Sequence, residues 1–458
     1  MRLGRAFWKD IIGNLTTAGQ GLLGRRTGSR SDEDIRELCQ ALLRTKGEAS
    51  VVTLARRTLD TFARLDTEGR DAFFEFLRTD LGAEPEALDA AVEHYRISQD
   101  PEAAAALAAA AEPRRQELLR LMNTAPDGTR DILAMRVTLL DALPRRPELK
   151  LVDDDFVHML RSWFNRGFLD LHRIDWRTPA LILEKIIAYE AVHQILDWED
   201  LRRRLATDRR CFGFFHPSLP DEPLIFVEVA LCKGLAESVP DLLFGQVKPG
   251  LDVDSAIFYS ISNCQRGLAG VSFGNFLIKQ VVRELAAEIP KLRRFATLSP
   301  VPGFRKWLIR EALEGRLPAG PSRGEATLDG IESPDWQADA APGDHLEGRL
   351  SQLCALYLLD AKRGSHPLDP VARFHLRNGA RLERINWMSD PSPTGLRQSA
   401  GLMVNYVYDE STVVANHEAY VNEGRIAHSR EVAALAGTDA EKRRGAGRRR
   451  RDPVHAAG

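Results

Sequence analysis

The feature that most constrains this chain is a change of apolar rhythm near residue 165. Before it, apolar residues recur every three to four positions, the spacing that gathers them on one face of an α-helix. Ile35, Leu38, Leu42 and Leu43 make the first such face, and the period returns in Val51 to Leu65, Arg70 to Leu81, Pro85 to Ser98 and Arg114 to Met122. Ser31, followed by Asp32, Glu33 and Asp34, is placed to cap the first helix, with the acids at the positive end of its dipole. Glu102 to Ala111 is a strong helix former with little side chain to bury. The run Asp153-Asp154-Asp155 precedes an apolar helix and reads as a partner for its dipole. Strand-like alternation is scarce and no pattern points to chemistry. Residues 1–165 therefore read as an all-helical domain that opens with a loose Gly/Arg/Ser/Thr-rich arm at 1–30.

Beyond Trp176 the texture differs. Thr178 as cap and Pro179 in the first turn predict a helix carrying Leu181, Ile182, Ile186 and Ile187. After His216-Pro217 come strand-like runs: Leu224 to Leu231, broken only by Glu228, then Ile257 to Ser262, Phe295 to Leu298, Arg381 to Trp387 and Leu402 to Tyr408. A helix from Asn275 to Ile289 lies between them, with Leu277, Ile278, Val281, Val282 and Leu285 on one side. Strands interleaved with helices predict an α/β or α+β catalytic domain over 166–435. A chain of 458 residues exceeds one ordinary core, so two domains are expected. Residues 314–345, rich in Gly, Pro, Asp and Ala, read as a long surface insertion. Residues 436–458 carry Arg448 to Arg451. Such a run can bind nucleic acid or acidic lipid, but its Gly and Ala flanks and lack of aromatics favour a solvated, disordered end.

Composition closes several routes. A formal net charge of -2 gives no global field for nucleic acid. The five cysteines, Cys39, Cys211, Cys232, Cys264 and Cys354, include no CxxC, and HExxH is absent, so no zinc site is expected. Their odd, scattered number suits a reducing compartment and buried free thiols. The start MRLGRAFWKDIIGNL lacks a long apolar run, and no stretch approaches 18 uninterrupted apolar residues. A cytoplasmic protein that neither spans nor binds a membrane is expected.

Four stretches could carry chemistry. The first runs from Ile257 to Lys279 as strand, glycine-punctuated loop and helix. Gly267, Gly270 and Gly274 permit positive φ and a close approach to a ligand. Free N–H groups near Gly274 and Asn275 make an anion site that suits a pyrophosphate, to which Arg266 and Lys279 could add charge. The alternative is a loop that only turns the chain. Gly270-Val271-Ser272-Phe273-Gly274 also matches the G-x-S-x-G nucleophile elbow, with His375 downstream, although the strand ends about ten residues too early. A serine hydrolase or thioesterase stays open on that ground. The second stretch places Ser299 at a strand end between Leu298 and Pro300-Val301-Pro302, rigidly presented at a rim or simply turning the chain. The third places His375 before the Asn378-Gly379 turn and close to a strand end, catalytic or bonded to backbone. His216, in Phe-Phe-His-Pro-Ser, is a second candidate with the structural reading stronger. The fourth puts Leu402, Val404, Tyr406 and Tyr408 on one strand face, Tyr408 as a hydrogen-bonding wall or a core edge.

Together FFHPSLPDEPLIFVEVAL (214–231), FYSISNCQRGLAGVSFGNFLIK, LSPVPGF, FHLRNGARLERINWM and GLMVNYVY closely resemble the malonyl-CoA decarboxylase family, in order over about 200–410. The resemblance implies a helical N-terminal domain for oligomerisation, a dimer or tetramer, and a GNAT-like (acyl-CoA N-acyltransferase-type) catalytic domain acting on malonyl-CoA in fatty acid metabolism. It implies Ser299 and His375 as the catalytic pair, with neither metal nor organic cofactor. It assigns acyl-CoA binding to Ala269, Gly270, Val271, Ser272, Phe273, Gly274 and Asn275, with Ser299 and Tyr408 at the acyl end. Animal members carry glutamate where this chain has Ser272. The chain ends His-Ala-Ala-Gly without the peroxisomal Ser-Lys-Leu, which favours a bacterial-type cytoplasmic enzyme. Rival expectations are a GNAT-type acyltransferase, a thioesterase and a non-catalytic acyl-CoA sensor.

Overall fold

The computed structural model describes residues 34–247, 252–271, 276–318 and 345–437. The arm at 1–30, Ser31, Ser272 to Asn275, most of the 314–345 segment and the tail from Thr438 lie outside them. The chain divides into two compact units.

The first unit is helical: α1 (Ile35–Arg44), α2 (Glu48–Arg64), α3 (Thr67–Thr79), α4 (Pro85–Ser98), α5 (Pro101–Ala110), α6 (Arg114–Met122), α7 (Gly128–Ala142) and α8 (Lys150–Trp163). The first cap is Asp34, whose carboxylate accepts from Arg36 N. Pro85 and Pro101 open α4 and α5, where a missing N–H costs nothing. The core gathers Leu38, Leu42, Leu59, Leu118, Met122, Leu139 and Phe156 around Phe62, Phe73 and Phe74. Those three rings lie 5.1–5.9 Å apart in tilted pairs.

The aspartate run corrects the dipole expectation. All three residues lie inside α8 rather than ahead of it. Asp153 accepts from Arg136 Nε at 2.8 Å, and Asp155 accepts from Arg115 and from Gln116 at 2.5 Å. All four charged partners are buried. A charge at that depth persists only when paired. Arg136 also donates Nη1 to Gly267 O at 2.6 Å. Gly267 belongs to a 3-10 turn, Arg266–Leu268, in the described excursion 264–271 that packs in this unit. A Cβ there would lie 2.6 Å from Leu133 O. Close backbone approach to a helix, not positive φ, is what requires this glycine. Arg266 is ion-paired with Asp141 at 2.5 Å, and Gly270 alone of the described loop glycines has positive φ, +77°.

The second unit is built on a mixed sheet. Its strands are β1 (Asp170–Ile174), β2 (Arg209–Phe215), β3 (Ile225–Cys232), β4 (Ser255–Asn263), β5 (Arg294–Thr297), β6 (Ser299–Pro300), β9 (Arg381–Asn386) and β10 (Met403–Tyr408). The short pair β7 (Lys362–Arg363) and β8 (His366–Pro367) stands apart. The order is β1-β2-β3-β4-β5-β10-β6, with β9 on the other side of β10. β2, β3 and β4 are antiparallel neighbours, and β4 pairs with β5 in parallel, Ser255 opposite Arg294 and Phe258 opposite Thr297. A parallel pair needs a crossover, supplied by the helix Phe276–Glu288. A mixed sheet after a helical N-terminal region is the predicted fold class, and one parallel pair at the sheet centre fits the GNAT-like expectation. The predicted Thr178 cap is displaced: Pro179 occupies the cap of the helix Ala180–Tyr189, while Thr178 Oγ1 accepts from Asp175 N.

β5 and β6 behave as one interrupted strand opposite β10. Tyr408 and Val407 face Phe295 and Ala296, whereas Val404 and Met403 face Ser299 and Pro300. On the other edge of β10, β9 carries an extra residue, Glu383, opposite Asn405/Tyr406, whereas the register of β10 to β5 and β6 stays continuous across their interruption. Side chains replace the missing ladder there. Asn405 Nδ2 donates to Thr297 O at 2.9 Å, and Tyr406 N donates to Thr297 Oγ1 at 3.3 Å.

Candidate active site

Strand geometry alternates side chains, so Thr297 and Ser299 leave the chain on one face and Leu298 on the other. Leu298 is buried in an apolar cluster with Ile257, Tyr259, Ala296 and Met403. Its burial fixes which way Ser299 points. Ser299 itself is buried, and its Oγ donates to Thr297 Oγ1 at 2.8 Å.

His375 comes from a short helix, Pro370–Arg377, and not from a strand end as the sequence implies. Asp369 caps it by accepting from Val371 N and Ala372 N at 2.9 and 2.8 Å, and Pro370 sets its first turn. Gly379 ends it at φ +81°, where a Cβ would lie 2.0 Å from Val413 O. The helix delivers His375 Nε2 to 3.0 Å from Ser299 Oγ, and Nδ1 to 2.8 Å from the Tyr408 hydroxyl. The imidazole stacks on Tyr406 with centroids 4.6 Å apart and planes at 24°. A continuous chain results: Thr297, Ser299, His375, Tyr408.

Burial governs the electrostatics. His375 is 3% exposed, and desolvation lowers its pKa from 6.5 to about 3. That corresponds to roughly 5 kcal/mol against the cation. Its place in the last turn of a helix favours the cation by at most about 2 kcal/mol, so burial wins. Tyr408 is held well above its ordinary value by the same cause. The site is therefore a chain of neutral hydroxyl and imidazole groups.

The other sequence candidates separate from this cluster. His216 is held by backbone on both ring nitrogens: Nδ1 accepts from Ser218 N at 3.2 Å, and Nε2 lies 3.1 Å from Trp163 O. Its ring packs 4.7 Å from Phe164, and burial lowers its pKa. That is a structural histidine. Ala269, Gly270 and Val271 are described, and Ser272, Phe273, Gly274 and Asn275 are not. β4 ends at Asn263, and the 3-10 turn at Arg266–Leu268 intervenes before Gly270. A nucleophile elbow needs the strand to run straight into the turn, so the hydrolase reading loses its geometry. Lys279 is half-buried on the crossover helix. Cys39, Cys211 and Cys354 are buried, Cys232 and Cys264 are half-buried, and none of the five is in a disulfide. Burial raises the Cys39 and Cys232 pKa values to about 12 and about 11, which keeps both thiols protonated. Among the described residues no group of three or more His, Cys, Asp or Glu side chains could hold a metal ion. Thr297 and Tyr406 complete the cluster. Sequence reading placed Tyr406 on the right face without a role and gave Thr297 no signal.

Comparison with known proteins agrees with the predicted family. The malonyl-CoA decarboxylase C-terminal domain matches residues 167–446, and the N-terminal domain of that family matches 81–164. A crystal structure of malonyl-CoA decarboxylase from Rhodopseudomonas palustris is 51% identical, with a TM-score of 0.82, over 87% of this chain and 98% of that one. The one from Agrobacterium vitis is 50% identical, TM-score 0.84, over 88% and 100%. Mitochondrial malonyl-CoA decarboxylase of Anser anser anser is 37% identical over 349 residues, 70% of this chain and 69% of the relative. The chain belongs to the malonyl-CoA decarboxylase family.

Proposed function

We propose that this chain is a malonyl-CoA decarboxylase whose reaction is carried by Ser299 and His375, with Tyr408 supporting the histidine. The observation that carries the reading is the buried hydrogen-bonded chain Ser299–His375–Tyr408 in a member of that family. Breaking the bond between the malonyl carboxylate and Cα sends its electron pair into the thioester carbonyl, releasing CO2 and leaving an enolate. The carbonyl is the electron sink, so the chemistry needs no metal or organic cofactor. Reforming the carbonyl returns the pair to Cα, which takes one proton.

Ser299 would bond the substrate carboxylate and hold it out of the thioester plane, where the breaking bond overlaps the carbonyl π system. A dry surround disfavours the carboxylate relative to neutral CO2. His375 would supply its Nε2 proton to Cα while Nδ1 takes the Tyr408 hydroxyl proton, which solvent restores after product leaves, and a positioned acid of this kind contributes about 10²–10⁴-fold. The loop from Ala269 to Asn275 would hold the acyl-CoA, and the positive φ of Gly270 supports a backbone that approaches a ligand closely. Among the described residues no helix is long and apolar enough to cross a membrane. A cytoplasmic location and a dimer or tetramer built through a helical domain at 1–165 complete the reading, with the catalytic domain over 166–435.

The test is metal-stripped protein incubated with malonyl-CoA alone, the thioester products followed by mass. Stoichiometric acetyl-CoA and CO2 are expected. Free CoA with malonate would replace the reading by a thioesterase, and unchanged malonyl-CoA would replace it by a transferase or an acyl-CoA sensor.

A further inference from the structure

We propose that Thr297 is a positioning residue that fixes the direction of the hydrogen bonds in the Ser299–His375 pair, so that His375 carries its proton on Nε2. This rests on the reading that Ser299 and His375 carry the decarboxylation. The argument begins with the fully buried hydroxyl of Thr297. Its oxygen accepts from Ser299 Oγ at 2.8 Å and from Tyr406 N at 3.3 Å. A serine hydroxyl has a single proton. With that proton given to Thr297, Ser299 meets His375 Nε2 with a lone pair, and the 3.0 Å contact is a bond only if Nε2 bears hydrogen. Burial keeps the imidazole neutral, so it carries one N–H and no more. Nδ1 is then the bare nitrogen, and the Tyr408 hydroxyl donates to it at 2.8 Å. The order of donation is Tyr408 to His375 to Ser299 to Thr297.

This polarity is opposite to that of a serine nucleophile, in which the hydroxyl donates to a bare Nε2 so that the imidazole can strip it. In this chain the imidazole is loaded as a donor and the serine oxygen is left with its proton until a substrate carboxylate competes for it. The arrangement suits delivery of a proton to the enolate and opposes attack on the thioester. It depends on a side chain that touches neither reacting carbon nor histidine. It depends also on the interruption between β5 and β6, opposite which the Tyr406 amide donates to the Thr297 hydroxyl.

The experiment compares Thr297→Val and Thr297→Ser in the full chain, with Ser299→Ala and His375→Asn as controls. Valine removes the acceptor at nearly constant volume, and serine keeps it. Thr297→Val is expected to lower kcat by about 10–100-fold with KM for malonyl-CoA nearly unchanged, and Thr297→Ser to recover most of the loss. The ¹⁵N spectrum of histidine-labelled protein, with the His375 signals identified by their loss in His375→Asn, is expected to show protonated Nε2 and bare Nδ1. A wild-type His375 protonated on Nδ1 would overturn the proposal, and this reading needs no Thr297 variant to fold. A Thr297→Val protein with unchanged kcat and unchanged tautomer would overturn it too, leaving the residue a merely structural partner of Tyr406. If Ser299→Ala and His375→Asn both kept full turnover, the underlying pair would fall and the proposal with it. If both lost turnover while Thr297→Val did not, the Thr297 proposal alone would fall.

Discussion

Two buried polar clusters, one in each unit, are built in opposite ways, although the sheet unit also buries a closed ion pair of its own, Arg204 with Glu228. In the helical unit one cluster is closed around charges: Arg136 with Asp153, and Asp155 with Arg115 and Gln116. In the sheet unit Thr297, Ser299, His375 and Tyr408 are uncharged and joined in a line. A closed ion pair is costly to open and gains nothing from a substrate. A neutral chain of hydroxyls and an imidazole can trade one hydrogen bond for another at low cost. The contrast teaches that closed ion pairs, Arg136 with Asp153 in the first unit and Arg204 with Glu228 in the second, serve stability, whereas the neutral chain serves chemistry.

The strongest way to break that contrast is to cut each chain and ask what is lost. His375→Asn and Ser299→Ala should each lower kcat by about 10²–10⁴-fold while the melting temperature moves by a few degrees. Loss of stability in place of turnover would erase the distinction. Asp153→Ala should do the reverse. It leaves a buried guanidinium without its carboxylate and should cost about 3–5 kcal/mol in urea unfolding, with kcat of the folded fraction retained. Acid offers a third cut. Above pH 6.5 His375 is neutral whether folded or unfolded. Between 6.5 and about 3 the unfolded chain binds a proton that the folded site refuses, so stability falls as pH falls through that window. From pH 6.5 to 5 this residue should account for about 2 kcal/mol, and His375→Asn should flatten the pH dependence of the urea midpoint by that much. Turnover should show no loss from His375 protonation between pH 5 and 8.

Two smaller effects sharpen the picture inside the sheet unit. Gly379→Ala places a Cβ against Val413 O at a left-handed φ. It should destabilise by about 1–3 kcal/mol and lower kcat by displacing the end of the His375 helix, measured by thermal melts and initial rates. Tyr408→Phe removes the donor at Nδ1 and should reduce kcat by about ten-fold with little change in melting temperature, a loss worth about 1.4 kcal/mol.

Much of this was legible in the sequence because it is local. Pro85 and Pro101 mark helix starts, and the Leu224 and Ile257 runs show as strands, since such signals lie within a few residues of what they determine. Ser299 and His375 stand out by their surroundings and by family resemblance, and the fold brings them together across 76 residues. What failed is non-local. The aspartates of α8 look like dipole partners until Arg115 arrives from 40 residues away. The His375 helix has eight residues, too few to display a 3.6-residue period, and Asn378-Gly379 reads equally well as the turn after a strand. Thr297 is one threonine in a strand. Its role exists only because an amide 109 residues later, opposite the interruption between β5 and β6, donates to its hydroxyl.

That amide has a consequence for observation. In a regular ladder a backbone N–H is protected by a carbonyl, and its exchange with solvent deuterium reports on the opening of strands. Tyr406 N–H is protected by a side-chain oxygen that is also the terminus of the Ser299–His375 chain. Its exchange rate is therefore a built-in gauge of the reaction centre, readable without label or ligand chemistry at the histidine. A compound that pulls the Ser299 proton away from Thr297 should leave its mark at one backbone position a residue class away from the chemistry, while neighbouring amides in the sheet keep their pace.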